Sequence, residues 1–312
     1  MMMLFQLLIF MVGVLTLYFG AEFFIKGASG VAGYLRVTPL LIGLVVVSSA
    51  TSAPELLVCL LAVLKKSDDI SMGNIIGSNI ANIGLILGVS AIISPIKIEK
   101  SVVKRELLML LAASTAFFLL SLKGRLGFFD GVIFLGLLAG ILIISIRAAK
   151  NEHRKNGDTT QTLESLDAKV LLFLVGGLLG LLGGAHFVVS SGIELARAIG
   201  ISELIIAISV IAIGTSLPEL AASTAAARRG EADLCVGNVL GSNLFNTVLV
   251  IGVVALLVPI QVTERVLSFH LPVMLIFSFI LLPVMRTGFV ITRLEGVGLL
   301  LGYFGYLGFL FI

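Results

Sequence analysis

Residues 48–55 read Ser-Ser-Ala-Thr-Ser-Ala-Pro-Glu, with apolar residues from Leu40 to Val47 before them and from Leu56 to Leu64 after. The same shape returns at Ala212-Ile213-Gly214-Thr215-Ser216-Leu217-Pro218-Glu219, at an offset of 219 − 55 = 164 residues. Any fold for this chain must house two carboxylates in surroundings as apolar as lipid. At membrane depth each costs about 3 kcal/mol unless it meets a partner, which marks such residues as functional candidates. The proline before each Glu cannot donate a backbone hydrogen bond, so the carbonyl of Ala50 is left free for another partner.

The surroundings are apolar throughout. Of the 312 residues 58% are hydrophobic and 12% charged, against about 25% charged in a soluble domain. Mean hydropathy is +1.16. Ten apolar segments near the ~20 residues needed to cross a bilayer fall at 3–26, 37–64, 70–94, 103–122, 127–149, 168–195, 202–228, 234–258, 266–285 and 291–312. The expected fold is therefore an all-α integral membrane protein with ten transmembrane helices, and its 34 glycines suit close helix packing in lipid. Met1 to Phe24 lacks a basic leader and a small-residue cleavage site and reads as the first membrane helix. Cys59 and Cys235 are isolated and read as small packing residues.

One long polar connection, residues 151–167, separates a first five-helix repeat at 1–150 from a second at 168–312. At the 164 offset Gly20-Ala21 matches Gly184-Ala185, and Gly73-Asn74 matches Gly237-Asn238. Gly77-Ser78-Asn79 matches Gly241-Ser242-Asn243, and Asn82 matches Asn246. With loops assigned alternately to two sides, the N-terminal side holds Lys65, Lys66, Lys123, Arg125, Arg197 and Arg265, six of the 21 Lys and Arg. The other fifteen lie opposite, so the positive-inside rule makes that side cytoplasmic. The protein is expected in the plasma (inner) membrane, with both termini outside and loop 151–167 in the cytoplasm. Five segments per half is an odd number, so the second half enters upside down. That is the inverted-repeat plan of transporters, whose sites lie near the midplane.

The repeated polar residues are the candidate site. Ser48, Thr51 or Ser52, and Glu55 lie three or four apart, on one helical face. The second copy offers Ala212, Thr215, Ser216 and Glu219. In the third segment of each half, Gly73-Asn74 and Gly77-Ser78-Asn79 interrupt the apolar run, and glycine and Asn lower helix persistence there. Ser78 shares a face with Asn82, as Ser242 does with Asn246. The donors are two carboxylates, amides, hydroxyls and freed carbonyls, with no thiolate or imidazole. Such a set suits a hard cation, and Ca2+ accepts six to eight oxygens in flexible geometry. Two carboxylates balance one divalent ion or two or more monovalent ions, which is a basis for exchange. Asn74 and Asn238 are read as helix caps or as site residues. Glu22 and His186 occupy matching positions with different chemistry, and Lys65, Lys66, Asp68 and Asp69 read as a solvated turn.

Gly214-Thr215-Ser216-Leu217-Pro218-Glu219, followed by Gly237-Asn238-Val239-Leu240-Gly241-Ser242-Asn243, resembles the second alpha-repeat of sodium/calcium exchangers in the calcium/cation antiporter superfamily. The first half resembles the first alpha-repeat, and the ten-helix length is similar to the compact prokaryotic members. The resemblance implies four cation positions sharing Glu55 and Glu219, the calcium position adding the carbonyls of Thr51 and Thr215. It implies an outer sodium position at Ala212, Thr215, Ser216 and Ser242, and an inner one at Ser48, Thr51, Ser52 and Ser78. A middle position would lie near Asn82 and Asn246, and segments one and six would slide across the core. Two residues depart from the pattern. Ala50 stands where the family usually has Gly, which is expected to stiffen the kink, and Asn246 stands where many members carry Asp.

The implied activity is antiport of Na+ and Ca2+ by alternating access, normally exporting Ca2+. The alternatives are an antiporter for divalent cations coupled to H+ or another cation, or an uncoupled cation channel. No nucleophile–base pair points to an enzyme. The expected partners are the transported Na+ and Ca2+ and the lipid bilayer, with no cofactor and no nucleic acid. The chain is expected to work as a monomer.

Overall fold

The computed structural model describes residues 2–155, 167–200 and 214–310, so the Ala212 position lies outside the described residues. The chain is helical almost throughout. Helix α1 spans Met2–Leu35. A bent pair follows, α2 (Pro39–Thr51) and α3 (Ala53–Leu64), then α4 (Asp68–Ile93). Helices α5 (Lys100–Lys104), α6 (Glu106–Ser121) and α7 (Phe128–Lys155) complete the first half. The second half holds α8 (Ala168–Ala198), α9 (Leu217–Arg228), α10 (Ala232–Leu257), α11 (Val266–Arg286) and α12 (Arg293–Leu310). Among the described residues six helices, or seven with the bent pair as one, are long and apolar enough to cross a membrane.

Burial sorts the helices into layers. In α4 and α10, 78% and 83% of the most apolar stretch is buried, against 11% in α1 and 22% in α8. The polar helices that carry the repeated Asn residues therefore form the centre. Helices α1 and α8 lie outside, with Leu4, Phe19, Leu172 and Leu179 turned outward. These two pack on glycine. A Cβ on Gly20 would stand 2.5 Å from the Leu181 nitrogen, one on Gly27 2.4 Å from that of Leu174, and one on Gly184 2.4 Å from that of Leu17. Only glycine permits this approach. Gly13 meets Phe187, Gly20 meets Leu181, Gly27 meets Leu174 and Gly30 meets Val170, so the two helices run antiparallel.

Two short antiparallel ladders tie the halves together. Strand β1 (Ile96–Lys97) pairs with β4 (Val290–Ile291), and β2 (Arg125–Leu126) pairs with β3 (Ile260–Gln261). Ile96 and Ile260 are 164 apart yet belong to different ladders. The ladders flank α6, one at each end.

Several expectations need correction. The first helix continues to Leu35, past the expected end at 26. The fourth segment is broken at Arg105, between α5 and α6. Gly73-Asn74 and Gly77-Ser78-Asn79 do not interrupt α4, which is regular from Asp68 to Ala81. The irregularity comes one turn later, where Asn82–Leu87 widens into a π-helix, and Phe245–Val250 does the same in α10. Burial supplies the contacts that outweigh the weak glycine propensity. The turn before α4 is not merely solvated. Asp68 accepts from the Gln261 backbone at 2.9 Å and Asp69 from the Thr263 hydroxyl at 3.2 Å.

Candidate cation site

The site is assembled from two helix breaks and the two central helices. Helix α2 starts at Thr38, whose side chain caps the Leu41 nitrogen, with Pro39 at the first position. It ends at Ser52, where the axis turns by 42°. Ser52 takes φ −84° and ψ 5°, and α3 begins with Pro54 and Glu55 in its first turn. The second half repeats this closely: Ser216 has φ −89° and ψ 3°, and Pro218 and Glu219 open α9. Ser52 and Ser216 thus take the same backbone conformation, with Ala50 two residues before one and Gly214 before the other. What differs is the neighbour: a Cβ at Gly214 would stand 2.9 Å from Val189.

The break sets a helix C-terminus, with its unsatisfied carbonyls, against a helix N-terminus carrying a carboxylate. Carbonyl ends attract cations, and the amide ends of α3 and α9 favour the carboxylates of Glu55 and Glu219 beside them. Both Glu residues are 1% exposed. Because the chain bends at Ser52, the hydroxyls of one half do not share one straight helical face with their own Glu. They cross over instead. Ser52 donates to Glu219 Oε1 at 3.1 Å, and Ser216 donates to the Ser78 hydroxyl at 3.3 Å.

Asn74 and Asn238 prove to be bridging residues, not caps, since each lies two turns inside its helix. Asn74 donates to the Glu55 carbonyl at 3.4 Å and to Cys59 Sγ at 3.3 Å, and its oxygen accepts from Thr215 at 3.4 Å. Asn238 donates to the Glu219 carbonyl at 3.4 Å and to Ser223 at 2.8 Å, and accepts from Thr51 at 3.4 Å. Each bond in one set is its partner's counterpart at the 164 offset. Neither Asn was singled out firmly by sequence, although their place in the repeat was the available signal. Asn79, one of the repeated amides, donates to Thr247 at 3.2 Å and to Met274 Sδ at 3.5 Å. Cys59 and Cys235 are buried free thiols.

Ser48 donates to the Leu44 carbonyl and Thr51 to that of Val47. With their protons so engaged, both oxygens keep lone pairs for another partner. Asn82 donates to Asn243 Oδ1 at 3.0 Å, joining α4 to α10. Helix α10 approaches α2 closely at glycine: a Cβ on Gly241 would stand 2.5 Å from both the Leu44 carbonyl and the Ser48 hydroxyl.

Around this frame lie buried polar atoms with no hydrogen-bond partner among the described residues. They include both oxygens of Glu55, Oε2 of Glu219, Oδ1 of Asn79, the Ser242 hydroxyl and both polar atoms of Asn246. Buried acceptors in native proteins are normally satisfied. Six unpartnered oxygens in one repeat-related region form a donor set fit for a hard cation. The structure thus brings together Ser48, Thr51, Ser52, Glu55, Ser78, Thr215, Ser216 and Glu219 at the two breaks, and Asn82, Ser242 and Asn246 on the central helices. Glu22 lies apart, paired with Arg228 and Arg229.

Comparison with known proteins agrees over the whole length. The family model described as "Sodium/calcium exchanger protein" matches residues 5–147 and again 169–312. The chain is 34% identical to the sodium/calcium exchanger MaX1 of Methanosarcina acetivorans, over 97% of this chain and 98% of that one. It is 34% identical to the putative antiporter CaxA of Alkalimonas amylolytica, covering 96% and 97%. A structure of the sodium-calcium exchanger NCX_Mj soaked with Na+ and Sr2+ superposes with a TM-score of 0.85 at 31% identity, covering 98% and 99%.

Proposed function

The chain belongs to the sodium/calcium exchanger family, and from that premise we propose that it couples inward Na+ flow to Ca2+ export by alternating access. The single observation that carries this reading is the set of unpartnered buried oxygens around Glu55 and Glu219. Two carboxylates balance one Ca2+. They balance several Na+ as well once carbonyls and hydroxyls complete the coordination, so the ions exclude each other.

Glu55 and Glu219 serve as shared ligands, and the carbonyls of Thr51 and Thr215 complete the calcium position. Ala212, Thr215, Ser216 and Ser242 hold one Na+, and Ser48, Thr51, Ser52 and Ser78 hold another. Asn82 and Asn246 line the middle. The chain has ten spans in two inverted repeats, 1–150 and 168–312, with 151–167 cytoplasmic and both termini outside. Antiparallel packing of the repeat-equivalent helices α1 and α8 supports the inversion, as do the exchanged ladders. The protein works as a monomer in the plasma membrane, with Na+ and Ca2+ as its substrates.

Uptake of radioactive Ca2+ into proteoliposomes tests the coupling. Uptake driven by an outward Na+ gradient, and not by a pH gradient, is expected. Uptake driven by the pH gradient alone would transfer the chain to proton coupling, and leak with no counter-ion would make it a channel.

A further inference from the structure

The two halves match closely at the site, yet one feature beside it is present in only one of them. Helix α1 packs along α9, and between them runs a cleft of about 230 Å3 lined by Leu17, Tyr18, Glu22, Leu217, Ala221 and Arg228. Its inner end reaches Leu217, adjacent to Ser216 and two residues from Glu219. Its outer end is closed by ionic contacts. Arg228 donates to the Tyr18 hydroxyl at 2.6 Å and to Glu22 Oε1 at 3.1 Å, and its guanidinium stands 4.9 Å over the Tyr18 ring. Arg229 donates to the other Glu22 oxygen at 3.3 Å. Further along, Ser29 of α1 donates to Glu231 at 3.2 Å.

At the 164 offset only Arg229 meets a group of like charge, Lys65, and it has no carboxylate opposite, since Glu22 becomes His186. Tyr18, Glu22 and Ser29 become Leu182, His186 and Ile193, and Arg228, Arg229 and Glu231 become Leu64, Lys65 and Ser67. The equivalent helices α8 and α3 barely touch. Among the described residues, the α1–α9 pair is fastened by ionic contacts on the side that bears the excess of Lys and Arg, and its repeat equivalent is not.

We propose that Glu22, Arg228, Arg229 and Tyr18 form a one-sided lock. It holds α1 against α9 and biases the transporter toward the state closed on the arginine-rich, cytoplasmic side. The inference rests on the alternating-access reading above. To open that side α1 must leave α9, which exchanges both guanidinium–carboxylate contacts for water. Among the described residues no ion pair joins the equivalent helices α8 and α3, so parting those two breaks no such contact. Glu22 is 19% exposed and the arginines are 44% and 34% exposed, so the contacts are partly screened. Such a network shifts a two-state equilibrium by roughly five-fold, the equivalent of about 1 kcal/mol.

Labelling of a cysteine in the cleft tests the lock. In inside-out vesicles, the Ala221→Cys variant is exposed to a membrane-impermeant thiol reagent; the native Cys59 and Cys235 are buried. Adding Glu22→Gln should speed labelling roughly five-fold, and Arg229→Gln, a milder change, should speed it less. Reversing the charges throughout, Glu22→Arg with Arg228→Glu and Arg229→Glu, should return the slow rate. Unchanged labelling in Glu22→Gln would overturn the lock, as would equally fast labelling in the reversed variant. Labelling requires no transport. Absence of Na+-driven Ca2+ flux in the parent would therefore sink the antiport reading separately, without deciding the lock.

Discussion

Substituting Glu55→Gln separates what the carboxylate does for transport from what it does for the fold. Glutamine keeps the shape and one oxygen, and it replaces the other oxygen and the charge with a donor that points the wrong way for a cation. Both oxygens of Glu55 are unpartnered in the buried site, and the residue is 1% exposed. Removing one member of a buried ion pair costs about 3–5 kcal/mol, which corresponds to roughly a 150- to 5,000-fold loss of Ca2+ affinity. Folding without ions should move the opposite way. A carboxylate lacking a partner in an apolar interior is costly, so the variant should be at least as heat-stable as the parent in chelator. Thermal unfolding in detergent with and without Ca2+ reads both effects. The expected result is an undiminished midpoint in chelator together with loss of the Ca2+-induced rise. A Ca2+-induced rise equal to the parent's would refute the assignment of Glu55 as a ligand.

Asn246→Asp adds a charge at a fully buried position whose two polar atoms lack partners, and the pH or cation dependence of exchange should change. An unchanged profile would remove Asn246 from the middle position. Gly241→Ala would drive a methyl against the Leu44 carbonyl and Ser48. It should lower the thermal midpoint and the exchange rate, whereas Gly73→Ala, which meets no described neighbour within 4 Å, should be milder. Equal effects of the two would contradict the close α2–α10 approach. Ser52→Ala removes the hydrogen bond to Glu219 and should weaken Ca2+ binding by roughly five-fold, the net size of one ordinary hydrogen bond of about 1 kcal/mol. Binding unchanged by this variant would show that the cross-half bond has no part in Ca2+ affinity.

Much of the fold was legible in the sequence because lipid leaves so few choices. Backbone groups in hydrocarbon must bond within their own segment, so apolar runs of membrane length become helices. The pairing of residues 164 apart then located the polar residues that meet. Less legible was how they meet. A 3.6-residue period puts Ser52 and Glu55 on one face, but Pro54 starts a new helix, and the 42° turn sends Ser52 to Glu219 instead. Propensity marked Gly73 and Gly77 as breaks, yet burial on all sides keeps α4 regular there, and the distortion falls at Asn82. The bridging of Asn74 and Asn238 depends on contacts between halves that no local period encodes. The lock at Glu22 was hidden for the reverse reason, since it is a place where the repeat is not kept.

The central claim is that Na+ and Ca2+ occupy one cage held by Glu55 and Glu219. Equilibrium binding of radioactive Ca2+ to purified protein across a series of Na+ concentrations tests it most directly. The apparent dissociation constant for Ca2+ should rise with Na+ more steeply than the first power, with no loss of total sites. A Ca2+ affinity indifferent to Na+, or sites lost without a change in affinity, would contradict a shared cage.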